Sequence, residues 1–187
     1  MHHLKITLRR VTPVVWRRVV IASDTKLPQV SRILIEAMGW NDTHLHAFRR
    51  SGTVYGAPDP DFADETIDER SFTLAHIAPR ARSRFSFDYD FGDNWEHDVV
   101  VEAIEPLVGA PAEAIVPRCT DGARACPPDD CGGPGGYAEL RRILANPKHE
   151  EYAAMRTWAG RDFAPERFDL AAVNRRLART GRSNRRR

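Results

Sequence analysis

The chain has 187 residues, of which 42% are apolar and 29% charged, and its formal net charge is +2. This length and composition suit one soluble domain with a sizeable core. The sequence has neither the apolar region of a signal peptide nor a run of about 20 apolar residues that would span a bilayer. We therefore expect a cytoplasmic protein without membrane contact, whose three cysteines stay reduced.

The charge is unevenly distributed, because residues 170–187 contain seven arginines and no acid. A basic tail of this kind is either an arm for nucleic acid or a frayed terminus that aids solubility. Phosphate contacts would give salt-dependent affinity without sequence specificity. The residues expected to make such contacts are Arg182, Arg185, Arg186 and Arg187.

The first quarter of the chain predicts a hairpin followed by a helix. Residues 4–9 alternate apolar and polar side chains, as a half-buried strand does, and residues 16–21 indicate a second strand. Residues 28–38 have the spacing of an amphipathic helix, with Pro28 in its first turn and Gly39 at its C-terminal cap.

The middle of the chain predicts two more pairs of strands. Residues 44–55 indicate a strand, a turn and a short strand, and the acidic stretch after them indicates a surface loop. Residues 85–91 and 95–101 alternate cleanly around a Gly-Asp-Asn turn. One face of the first strand is expected to carry Phe85, Phe87, Tyr89 and Phe91, and one face of the return strand Trp95, His97, Val99 and Val101.

The last part of the chain predicts a loop and then helices. We expect residues 107–136 to form a Pro/Gly/Cys-rich loop and residues 137–179 a helical segment packed on the same domain as the sheet region, residues 1–106. Asp169 is the expected N-cap of the last helix, and residues 180–187 form the basic tail. This order predicts an α+β fold with a mainly antiparallel sheet, one face covered by the first helix and a β-grasp-like ββα start.

The cysteines suggest three kinds of chemistry. Cys126 and Cys131 have a spacing close to that of structural zinc ligands, whereas Cys119 is farther away than is usual. A zinc ion would hold together a loop that has no core of its own, with His97 or His149 as the expected fourth ligand. Asp129 and Asp130 are weaker donors. The alternatives are a reactive thiol of low pKa and inert thiols in an irregular loop.

A second set of polar residues forms a candidate binding surface. Two histidines near the third strand and a group of acids around the predicted turn offer groups for metal binding or acid–base chemistry, although solvated acids around a turn explain the same pattern. The set comprises His44, His46, Asp90, Asp93, Trp95 and Glu96. The sequence has no complete catalytic motif, so enzymatic activity is not expected from the residues alone.

Several stretches together resemble the plasmid pRiA ORF-three-like family. They include LKITLRRVTPVVWRRVVI, AMGWNDTHLHAF, YDFGDNWEHDVVVE and PRCTDGARACPPDDCGGPGGYAELRRILANP. Some members carry the name of a passenger TnpR protein of an insertion element, which implies a link to plasmids and mobile elements. The chain lacks the serine setting of a resolvase, so that activity is not expected.

The residues and the resemblance favour one hypothesis and leave two alternatives. The favoured hypothesis is a non-enzymatic accessory protein of mobile elements, with a structural zinc and a tail for nucleic acid or an acidic partner. The first alternative is a metal-dependent hydrolase of phosphoesters with Asp93 or Glu96 as base. The second is a protein–protein adaptor.

Overall fold

The computed structural model describes residues 1–58, 65–106 and 116–183, with side chains as far as residue 180. Its strands are β1 (His2–Leu8), β2 (Trp16–Ile21), β3 (His46–Arg50), β4 (Thr53–Gly56), β5 (Ile67–Asp68), β6 (Arg84–Tyr89), β7 (Trp95–Ile104) and β8 (Arg118–Ala123). Its helices are α1 (Leu27–Met38), α2 (Leu74–Ile77), α3 (Gly133–Leu144), α4 (Tyr152–Ala159) and α5 (Leu170–Ser183), with one 3₁₀ turn, Glu69–Ser71. The predicted α+β class is confirmed.

The described strands form one sheet in the order β5-β4-β3-β6-β7-β1-β2-β8. All neighbours are antiparallel except β4 and β5, which run parallel. The first hairpin therefore lies towards one edge of the sheet, and β7 pairs with both β1 and β6. The order ββα at the start is as predicted, whereas the likeness to a β-grasp fold stays a prediction.

One face of the sheet packs against α1. Every second side chain of β1 is buried. The predicted aromatic face of β6 is buried from Phe85 to Tyr89, and the predicted face of β7 from Trp95 to Val101. Helix α1 contributes its predicted apolar stripe, and Gly39 ends it with φ of 134°, a conformation that glycine adopts readily. The predicted face of α1 is confirmed, since Val30, Ile33, Leu34, Ala37 and Met38 are all buried.

The opposite face of the sheet carries charged side chains in cross-strand pairs. Arg18 of β2 lies 2.9 Å from Glu102 of β7 and 3.0 Å from Asp121 of β8. Arg9 pairs with Glu96 at 2.8 Å in the same way. Because these pairs are exposed, each adds little to stability, but they match the polar half of the period-two pattern.

Strand β8 was not predicted, because RCTDGA has little β propensity and lies in a segment rich in proline and glycine. It forms at the edge of the sheet by pairing with β2. The side-chain amide of Asn174 in α5 accepts from the Cys119 N–H and donates to its carbonyl oxygen, both at 2.9 Å. Asn174 therefore provides hydrogen-bond partners for the outward N–H and carbonyl groups of Cys119, as a ninth strand would.

A buried arginine joins β2, α1 and the end of β8. Arg17 is only 2% exposed, and its guanidinium donates to the carbonyl oxygens of Ala37 at 3.1 Å, Ala123 at 2.9 Å and Arg124 at 2.8 Å. Its guanidinium carbon lies 4.5 Å from the centre of the Phe168 ring. These contacts compensate for burial of the charge and satisfy carbonyls at the C-terminal end of α1.

Three local details differ from the predictions or extend them. Phe91 does not share the buried face of Phe85 to Tyr89, because it lies in the turn after β6 and is 54% exposed. Helix α3 begins at Gly133, earlier than predicted, and α4 begins only at Tyr152. The N-cap of α5 is confirmed, since Asp169 accepts from the Ala172 N–H at 2.8 Å.

Parts of two predicted segments lie outside the described residues: residues 107–115 of the linker, and residues 184–187 and the Arg182 side chain of the basic tail. The predicted division into segments and the nucleic-acid contacts of the tail therefore stay predictions. Within the described part of the chain, no helix is both long enough and apolar enough to cross a membrane.

Candidate metal centre

Three side chains from distant parts of the chain converge at one end of the sheet. The Nε2 atom of His44 lies 3.8 Å from a carboxylate oxygen of Asp90 and 3.6 Å from one of Asp130. Among the described residues, this is the only group of three His, Cys, Asp or Glu side chains whose ligand atoms all lie within 4.8 Å of one another. Two ligands about 2.1 Å from a tetrahedral metal are about 3.4 Å apart, so small side-chain shifts would close the group around an ion.

Asp90 is fixed by the turn that follows β6. Its φ is +57°, which bends the chain sharply away from the strand, and its Oδ1 accepts from the N–H groups of Gly92 at 3.0 Å and Asp93 at 3.3 Å. Its own N–H donates to the carbonyl oxygen of Leu45 at 2.9 Å, which brings the segment containing His44 alongside. The Oδ2 atom is then the one that faces His44.

The turn after β6 meets the loop before α3. The Gly132 N–H donates to Asp93 Oδ2 at 3.2 Å. Gly133 has φ of +66°, and a Cβ atom there would overlap the Asp93 carbonyl oxygen. Close approach of the two segments therefore requires glycine at position 133, and this approach places Asp130 opposite Asp90.

Asp129 lies beside the group. Its Oδ1 is buried and has no hydrogen-bond partner among the described residues. Burial raises the pKa of Asp129, nearby Asp130 and Asp90 raise it further, and His44 and Arg176 oppose them. A buried carboxylate oxygen without a hydrogen-bond partner in the described part of the chain therefore lies next to the His44, Asp90 and Asp130 group.

An aromatic cluster forms the floor of the centre. Trp40 packs against Tyr89 and Trp95 with ring centroids 5.1 and 5.6 Å apart. The Tyr89 hydroxyl accepts from the Thr43 N–H at 3.2 Å, and its ring meets that of His44 edge-on. The indole N–H of Trp40 donates to the Pro127 carbonyl at 3.0 Å, which ties the same cluster to the loop that carries Asp130. The ligands are thus held on a rigid base.

The predicted zinc ligands do not form such a group. Cys119 is in β8, and its thiol donates to the Asp121 carbonyl at 3.2 Å, whereas Cys126 packs against Gly39. Burial raises the pKa of Cys119 and Cys126, and it raises that of Cys131 to about 12. These are the properties of unreactive thiols, which argues against the redox alternative. Zinc binding by the cysteines stays a prediction.

His97, the predicted fourth ligand, lies in the core of the sheet. It is 0% exposed, and its Nδ1–H donates to the Phe87 carbonyl at 3.0 Å. Its Nε2 has no partner among the described residues. Burial lowers the pKa of His97 to about 4, so the ring is neutral. The alternative ligand His149 instead has ring nitrogens 3.1 Å from Arg142 Nη2 and 3.2 Å from the Glu151 backbone nitrogen.

The six residues of the predicted binding surface lie in separate parts of the structure. His44, Asp90 and Asp93 lie at the metal centre or at the turn beside it. His46 faces Glu69, with Nε2 3.1 Å from both carboxylate oxygens. Trp95 is fully buried and so is not part of a surface. Glu96 is on the charged face of the sheet, paired with Arg9 and Arg10 at 2.8 and 3.0 Å.

The sheet and helices define an α+β protein in which His44, Asp90 and Asp130 converge as a candidate metal centre. Comparison with known proteins gives the family: residues 1–172 match the model of the plasmid pRiA4b ORF-3-like protein, and the chain belongs to that family.

Two relatives extend over most of the chain. The chain is 38% identical over 172 residues to "Uncharacterized protein y4hQ" of Sinorhizobium fredii (strain NBRC 101917 / NGR234), covering 91% of this chain and 84% of the relative. The crystal structure of the protein of unknown function MM3350 from Methanosarcina mazei Go1 superposes with a TM-score of 0.78. It is 32% identical and the match covers 92% of this chain and 95% of that one. The predicted family is confirmed.

Proposed function

We propose that the protein is a non-enzymatic accessory protein that binds a divalent cation through His44, Asp90 and Asp130. The observation that carries the proposal is the convergence of one imidazole and two carboxylates within 4.8 Å of one another. One nitrogen and two oxygen ligands suit Mn²⁺, Fe²⁺ or Zn²⁺ better than Ca²⁺, which prefers six or more oxygens.

The cation would act as a structural link. It would join the segment before β3, the turn after β6 and the loop before α3, which the backbone contact at Asp93 and Gly132 already brings together. This is the staple role predicted for zinc, with carboxylates and a histidine in place of the cysteines. Binding energy from such a link adds to folding stability.

Titration calorimetry with Zn²⁺ and Mn²⁺ tests the proposal. Asp130→Asn is the best variant because the Asp130 side chain is 76% exposed, so its loss should not disturb folding. The matched control is Asp98→Asn, a 58% exposed carboxylate on the charged face of the sheet. We expect one site in the native protein and in the control, and at least about 10-fold weaker binding in Asp130→Asn. Equal affinity in all three proteins would remove the proposal.

A metal-dependent hydrolase is the second candidate, favoured by one feature. Three protein ligands with an exposed member leave coordination positions for water, as catalytic sites do. The two predicted bases are occupied, however: Asp93 accepts from Gly132, and Glu96 is paired with Arg9. Hydrolysis of bis(p-nitrophenyl) phosphate that requires Mn²⁺ and disappears in Asp130→Asn would favour the hydrolase over the accessory role.

A further inference from the structure

A groove runs between α3 and α4 beside the candidate metal centre. Its volume is about 360 Å³, within the range of binding pockets. Its apolar lining consists of Leu140, Ile143, Met155 and Trp158. The surface is open, because Trp158 is 49% exposed.

The charge on the groove is of one sign. Three carboxylates line it, those of Asp130, Glu139 and Glu151, and its lining contains no basic side chain. One guanidinium flanks these three carboxylates, that of Arg142, whose Nη2 lies 2.5 Å from Glu139 and whose charge also interacts with Glu151. The groove therefore keeps a net negative charge. A groove with this lining is complementary to a positively charged and apolar occupant.

Exposed apolar side chains extend beyond the groove. Leu45 is 66% exposed and Phe91 54% exposed, and with Trp158 they have the highest exposure among the large apolar side chains of the described residues. Leu45 follows His44, and Phe91 follows Asp90, so both lie next to the centre that contains Asp130. Their segments are joined by the bond from the Asp90 N–H to the Leu45 carbonyl. An apolar groove near further exposed apolar side chains is typical of a protein-binding surface.

We propose that the α3–α4 groove, extended by Leu45 and Phe91, is a docking site for a basic amphipathic helix of a partner protein. Apolar side chains of such a helix would fill the groove over Trp158, and its Lys or Arg side chains would face Asp130 and Glu151. This inference does not rest on the cation site, but a cation on Asp130 would neutralise that carboxylate, so peptide binding is measured in EDTA.

The test uses the full-length protein and a fluorescein-labelled peptide of Leu and Lys in amphipathic helical spacing, measured by fluorescence anisotropy. We expect Trp158→Ala to weaken binding about 30-fold, as loss of an interface tryptophan does. Glu151→Lys should weaken it about 5- to 10-fold by reversing one charge. Glu150→Lys is the matched control, since Glu150 is the exposed neighbour that does not line the groove, and its affinity should match that of the native protein.

Four results would overturn the inference: no binding of the peptide, equal binding of its Leu/Glu counterpart, equal losses in Glu150→Lys and Glu151→Lys, or a dimer of the protein that Trp158→Ala dissociates. Binding of octylammonium as tight as that of the peptide would also overturn it, in favour of a small-molecule pocket. Asp90→Asn separates this proposal from the cation site when the peptide is titrated in EDTA: the variant should no longer bind metal, and its peptide affinity should equal that of the native protein measured in the same buffer.

Discussion

Replacing Gly133 by alanine should separate the loop before α3 from the turn after β6. An alanine at φ of +66° costs about 1–2 kcal/mol, because its Cβ meets its own backbone in the left-handed region. That Cβ would also overlap the Asp93 carbonyl oxygen, so the loop must move by about 1 Å before a normal contact is reached. Such a shift breaks the hydrogen bond from the Gly132 N–H to Asp93 Oδ2, now 3.2 Å long, at a further cost of about 1.5 kcal/mol.

The expected total is a loss of about 2–4 kcal/mol in the free energy of unfolding, measured by urea denaturation. Gly135→Ala is the matched control, because a Cβ atom there has no neighbour within 4 Å and the position lies in the first turn of the same helix. It should leave stability unchanged or raise it by up to about 1 kcal/mol. If Gly133→Ala stays within about 0.5 kcal/mol of the native protein, or if the two variants lose the same amount, the turn and the loop do not meet as described.

Three further predictions concern the core. Burial lowers the pKa of His97 from 6.5 to about 4, so in acid the unfolded chain binds a proton that the folded one does not. The free energy of unfolding should therefore fall by about 3 kcal/mol between pH 6.5 and pH 4, and by less in His97→Gln. The same pH profile in both proteins would contradict the burial of a neutral ring. Arg17→Met should lower the free energy of unfolding in urea by at least about 3 kcal/mol, because it leaves buried carbonyls without donors. Arg18→Met, on the exposed face, should lower it by less than about 1 kcal/mol, and similar losses in both variants would contradict the role of Arg17. With a pKa of about 12, Cys131 should react with iodoacetamide at pH 7.5 far more slowly in the folded protein than in urea, and equal rates would show that its thiol is not shielded.

Regular alternation and helical spacing predicted most elements of the fold. The buried stripe of α1 and the buried face of β6 and β7 follow from the spacing of apolar residues within each element. This spacing can be read from neighbouring residues in the sequence. Strand β8 could not be predicted in this way, because its pairing with β2 and the amide of Asn174 stabilise a sequence of low β propensity. The prediction for Phe91 was wrong for a related reason: Asp90 has a left-handed backbone conformation, which ends the alternation of the strand one residue before Phe91.

The candidate metal centre was only partly predictable. His44 and Asp90 were placed in a candidate binding surface, and Asp130 was named as a weak zinc donor, but no spacing rule joins residues that are far apart in the sequence. Their convergence depends on two left-handed residues, Asp90 and Asp130, and on the close approach at Gly133. The cysteines attracted attention because their spacing is local, whereas the structure assigns them to β8, to the packing against Gly39 and to the side of the α3–α4 groove.

The position of a bound cation tests the account most directly. Crystals grown with Zn²⁺ or Mn²⁺ and measured at the absorption edge of the metal would show its location in an anomalous difference map. We predict one strong peak about 2.0–2.3 Å from His44 Nε2 and from carboxylate oxygens of Asp90 and Asp130. A peak at the sulfurs of Cys126 and Cys131, or a map without a peak at His44, would contradict the assignment.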